Sequence, residues 1–134
     1  PGTTDSLRAW VVYPERKDKA PVVVVIHEIF GVSTWIKGVA DQLAAEGYIA
    51  IAPDLVTGMV PIAPGTDTIP AQAAVAAVRS LKPADVQRDI RAVADYGMKL
   101  PAAQQKFGVV GFCWGGSTSF EVAVTADPRL RGAV

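Results

Sequence analysis

The chain has 134 residues, of which 50% are apolar and 19% charged. That is enough apolar material for one packed core, and it argues against disorder. Thirteen basic residues balance thirteen acidic ones, so no basic field exists to hold nucleic acid or an anionic membrane. One cysteine and one histidine exclude an internal disulfide, a CxxC pair and a multi-histidine metal site within the chain, and the longest apolar run, Val22 to Ile26, is strand-sized rather than membrane-sized.

In chain order, Leu7 to Tyr13 reads as a strand near a sheet edge, with Leu7, Ala9, Val11 and Tyr13 on one face. Pro14 and the charged stretch Glu15 to Lys19 form a solvated turn. The β-branched run Val22 to Ile26 predicts a strand buried on both faces, as in a parallel sheet covered by helices. Ser33 or Thr34 caps a helix whose apolar positions are Ile36, Val39, Ala40, Leu43 and Ala44, and Gly47 ends it.

Tyr48 to Ala52 is a second buried strand, stopped by Pro53. Val56 to Pro70, with Pro61, Pro64, Gly58 and Gly65, is a long loop of the functional or mobile kind. Ala71 to Ser80 reads as a helix, and Pro83 opens another with Val86, Ile90, Val93 and Gly97 on one face. Phe107 to Phe112 is a third buried strand, Gly115 to Ala126 a helix ended by Asp127-Pro128, and Gly132 to Val134 a nascent strand. The alternation predicts an α/β fold with a mostly parallel sheet and helices on both faces, in a single domain over residues 1–134.

In such sheets ligands bind beyond the carboxyl ends of the strands. The three buried strands end at His27-Glu28, at Asp54 and at Cys113. Gly111-Phe112-Cys113-Trp114-Gly115-Gly116 fits G-x-[SC]-x-G between an apolar strand and a helical stretch. The spacing has a steric reason: a nucleophile on a sharp strand-to-helix turn needs neighbours two residues away that lack side chains. The turn also aims backbone N–H groups at a developing oxyanion. The alternative is that Cys113 is a small buried hydrophobe. Dinucleotide and P-loop readings fail, because there is no G-x-G-x-x-G and no G-K-[ST]; no cofactor is implied. A flavodoxin-like binding domain would share the alternation, and no residue pattern favours it.

The hexapeptide 111–116 resembles the nucleophile elbow of the dienelactone hydrolase (carboxymethylenebutenolidase) family within the α/β-hydrolase fold. His27-Glu28-Ile29-Phe30-Gly31 resembles that family's second signature, and Ala52-Pro53-Asp54-Leu55 is also similar. The resemblance runs from about Leu7 to Val134. It implies hydrolysis of a lactone or small carboxylic ester, a small-molecule substrate, through Cys113 as nucleophile and a thioester acyl-enzyme. It implies an oxyanion hole made by the Ile29 and Trp114 N–H groups. It also implies that Glu28 touches the resting thiol and helps to form the thiolate, against the alternative of a solvated carboxylate at a strand end.

His27 departs from members that carry an amide there and reads as a structural or pocket-wall residue; Asp54 reads as loop-organising. Family order places the acid and the histidine base after the nucleophile, and the 21 residues after Cys113 hold no histidine. The chain is therefore expected to be a piece of a longer hydrolase, incomplete at both ends, or else a catalytically inactive hydrolase-like domain. Arg79, Arg88 and Arg91 are candidates for a substrate-carboxylate arginine by location only. A lone thiol fits the reducing cytoplasm, the expected compartment, and a secreted or periplasmic relative would show the same sequence.

Overall fold

The computed structural model describes residues 6–61 and 69–134. The Pro64 and Gly65 stretch of the long loop, and Pro1-Gly2, lie outside the described residues. Five strands and four helices follow one another as β1 (Ala9–Val12), β2 (Ala20–Ile26), α1 (Thr34–Ala45), β3 (Ile49–Pro53), α2 (Ala71–Ser80), α3 (Pro83–Lys99), β4 (Ala103–Gly111), α4 (Trp114–Val124) and β5 (Leu130–Ala133). They form one sheet in the order β1-β3-β2-β4-β5. β1 runs antiparallel to β3, and the other neighbours are parallel.

The period of two in β2 divides the core. Val22, Val24 and Ile26 pack with Val86, Ile90 and Val93 of α3 and Val122 of α4. Val25 packs on the other face with Ile36 and Ala40 of α1. Val22, Val24, Val25 and Ile26 are all fully buried, each contributing about 1.5–3 kcal/mol relative to exposure. α1 therefore carries the β2-to-β3 crossover on one face, and α3 carries the β3-to-β4 crossover on the opposite face. β2 lies between its two successors, so the chain reverses its winding direction there. The carboxyl ends of β2 and β4 meet at the topological switch point, where α/β sheets bind ligands.

Local chemistry explains the boundaries. Ser33 caps α1, its Oγ accepting from Ile36 N–H at 3.3 Å, and Gly47 follows at φ +98°, a left-handed position open to glycine. Pro83 opens α3, where its missing N–H would have had no partner. Three expectations need correction. Pro53 is not a stop before the turn: it is the last residue of β3, opposite Ala9 of β1. β4 begins at Ala103, four positions before Phe107. Its polar start is held by pairing of Ala103 with Ala20 and by Gln104 and Gln105 side-chain bonds to Lys19 O and Met98 O, both 2.6 Å. α4 ends at Val124 rather than at Ala126, because Ala126 turns left-handed at φ 53° before Asp127 takes the Arg129 N–H and guanidinium.

Candidate active site

β4 delivers Cys113 to the switch point. Ile26 of β2 stands opposite Gly111 of β4, so two further residues along each strand bring Glu28 and Cys113 to matching positions at the same sheet end. Cys113 is exposed and occupies the N-cap of α4 at φ 55°, ψ −115°, a sparsely populated backbone region for a side-chain-bearing residue. Its glycine neighbours are required by contact. A Cβ on Gly111 would lie 1.9 Å from Gly115 O, and one on Gly115 would lie 2.4 Å from Ile26 O and 2.6 Å from His27 O. The same closeness packs the first turn of α4 directly onto the end of β2.

The elbow is clamped from both sides. Phe112 meets Trp35 of α1 edge-on at 4.7 Å between centroids. Trp114 stacks on His27 at 5.7 Å. In the first turn of α4, Gly115 N–H donates to Phe112 O at 2.8 Å, and Gly116 and Ser117 N–H donate to Cys113 O at 3.0 and 3.3 Å. The Trp114 N–H, first in the helix, has no intrahelical acceptor and lies at the positive end of the helix dipole, where a developing negative charge is stabilised.

His27 is fully buried. Its Nε2 accepts from Leu55 N–H at 3.3 Å and its Nδ1 lies 2.7 Å from Glu28 O. The backbone donor on Nε2 assigns the proton to Nδ1, so both ring nitrogens are engaged. Burial holds its pKa below the ordinary 6.5, opposed by the bond to the Glu28 carbonyl and the charges of Asp54 and Glu28. A neutral, doubly bonded imidazole is a structural group, as the sequence leads one to expect.

The Glu28 carboxylate accepts from Phe30 N–H and from the Ser33 hydroxyl, each at 3.2 Å. The expected contact with the resting thiol is not a hydrogen bond in this structure: among the described residues the bonds of that carboxylate go to the loop after β2, at Phe30, and to Ser33, the N-cap of α1. No local pattern announces the link to Ser33, whose hydroxyl also caps α1.

Asp54 organises its loop, accepting from Val56 N–H at 3.3 Å and pairing with Arg8 at 3.2 Å. Arg79, Arg88 and Arg91 all sit on exposed faces of α2 and α3, and Arg88 is engaged by Asp85 at 2.6 Å and Asp89 at 3.1 Å. Among the described residues no group of three or more His, Cys, Asp or Glu is arranged to hold a metal ion, and no helix is long and apolar enough to cross a membrane.

A mostly parallel sheet with crossovers on opposite faces, and a strained residue on a glycine-flanked strand-to-helix turn, define an α/β-hydrolase fold. The sequence model of the Dienelactone hydrolase family matches residues 7–134, and the chain belongs to that family. It is 36% identical over 123 residues to a carboxymethylenebutenolidase homolog of Mus musculus, covering 87% of this chain and 46% of that protein. It is 34% identical over 121 residues to a candidate carboxymethylenebutenolidase of Synechocystis, covering 87% and 48%. A crystal structure of a candidate dienelactone hydrolase from Klebsiella pneumoniae superposes with a TM-score of 0.77 at 29% identity, covering 95% of this chain and 52% of that one. The chain thus spans about half the length of the curated relatives it matches.

Proposed function

We propose that this chain is the nucleophile-bearing portion of a hydrolase that opens a lactone or cleaves a small carboxylic ester through Cys113. The observation that carries the reading is the exposed sulfur on a φ 55° elbow at the N-terminus of α4. The Cys113 thiolate attacks the carbonyl carbon, and a C–S bond forms as the carbonyl electrons move to oxygen. The Trp114 and Ile29 N–H groups hold that oxyanion. Its collapse breaks the C–O bond, the leaving oxygen takes a proton, and a thioester remains. Water then attacks the thioester, releasing the acid and returning the thiol. Glu28, at the matching end of β2, receives the thiol proton when its carboxylate leaves Ser33.

A second reading, that the 134-residue chain does not turn over, is favoured by the engagement of both His27 nitrogens. No free imidazole in this sequence activates the deacylating water. The two readings separate on p-nitrophenyl acetate. Acylation of Cys113 releases one equivalent of p-nitrophenolate in a burst and adds one acetyl group by mass, and Cys113→Ala abolishes both. A burst that persists in Cys113→Ala would overturn the nucleophile reading. Sustained turnover after the burst, also lost in Cys113→Ala, would remove the second.

A further inference from the structure

Three backbone segments meet at one ring. The His27 Nδ1–H donates to Glu28 O at 2.7 Å, Leu55 N–H donates to His27 Nε2 at 3.3 Å, and the Trp114 indole stacks on the imidazole at 5.7 Å. These are the ends of β2, the loop after β3 and the elbow after β4. The Glu28 carbonyl is held a second time by Gly31 N–H at 3.3 Å. That carbonyl belongs to the same planar unit as the Ile29 N–H, and in a trans peptide the two point in opposite directions. With the carbonyl drawn onto a fully buried ring, the Ile29 N–H is turned away from that ring and fixed in direction.

We infer that His27 is a positioning residue for the oxyanion hole, setting the Glu28–Ile29 peptide plane through its bond to Glu28 O and bracing the elbow through its stack on Trp114. The inference rests on the reading of Cys113 as nucleophile and of the Ile29 and Trp114 N–H groups as oxyanion donors. The ring is fully buried and acts through two backbone donors, one in the loop after β2 and one at the start of α4. An amide side chain, which carries an NH2 group that donates and a carbonyl oxygen that accepts, can make the same pair of bonds, whereas an aliphatic one can make neither.

The test compares two reactions of the same thiol in the full 134-residue chain. Acylation by p-nitrophenyl acetate passes through a tetrahedral oxyanion. Alkylation by iodoacetamide displaces iodide at a saturated carbon and develops none. Their rate ratio at one pH therefore reads the oxyanion hole and cancels the fraction of thiolate. Loss of a whole oxyanion donor lowers rates by roughly 10²–10³, so misaiming one in His27→Leu is expected to lower the ratio by about tenfold or more. His27→Gln is expected to keep it within about twofold.

An unchanged ratio in a folded His27→Leu variant would overturn the inference while leaving the nucleophile in place. A Cys113 inert to both reagents in the unsubstituted chain would overturn both. Should His27→Leu fail to fold, the imidazole ¹⁵N shifts of the unsubstituted chain decide: a proton on Nδ1 is expected, and a proton on Nε2 would overturn the inference.

Discussion

Cys113 holds φ 55° and ψ −115°, a conformation that disfavours a side chain by about 1–3 kcal/mol. The compensation lies in its surroundings: Gly111 and Gly115 let β4, α4 and β2 close within contact distance, and Phe112 and Trp114 anchor the turn on either side. Replacing Cys113 by a residue without Cβ should release the strain. Cys113→Gly is therefore expected to be more stable to urea than the unsubstituted chain by about 1 kcal/mol, after allowing for glycine's greater freedom when unfolded. Cys113→Ala, which keeps the Cβ, should show no such gain. Equal stabilities for all three would mean that the bend is unstrained. This position was legible in the sequence, because the sterics of the elbow act within five residues. The engagement of His27 was not: Leu55 is 28 positions away, and no local pattern specifies a partner at that distance.

At the scale of elements, α1 links stability to the site. Ser33 caps the helix through Ile36 N–H and also donates its hydroxyl proton to Glu28. Ser33→Ala should lower stability by about 1 kcal/mol, the usual loss for a side-chain cap, seen as a reduced urea midpoint with an unchanged slope. It also frees one oxygen of the Glu28 carboxylate, so the alkylation rate of Cys113 should change with it, while Ser33→Thr restores both. The helices were readable because capping, proline and 3.6-residue periodicity are local. The start of β4 was not, because Gln104, Gln105 and Lys106 have no strand character of their own and are held extended by β2 and by side-chain bonds to Lys19 and Met98.

At the scale of the molecule, the buried imidazole ties acid stability to the site. Burial lowers the His27 pKa from 6.5, so below that value the unfolded chain binds a proton that the folded chain refuses. Stability therefore falls as pH drops from 6.5 toward the folded-state pKa, and this contribution levels off below it. His27→Gln, which has no titrating ring, should lose less stability than the unsubstituted chain between pH 7 and 5, measured by urea unfolding at each pH. Equal losses would show that the ring titrates alike in both states. The sheet makes this a global effect, since His27 joins the ends of β2 and β4 to the loop that follows β3.

The residue string alone specified the α/β alternation, the caps, the glycine-flanked elbow and the family, because each depends on neighbours within a few positions or on whole-chain likeness. Tertiary structure alone decided three things. It reversed the direction of β1 against β3, brought Glu28 and Cys113 to one sheet end through the Ile26–Gly111 register, and turned the Glu28 carboxylate toward Ser33. Those outcomes come from pairing and packing between segments distant in sequence, where the free energy of burial and hydrogen bonding, rather than local preference, selects the arrangement.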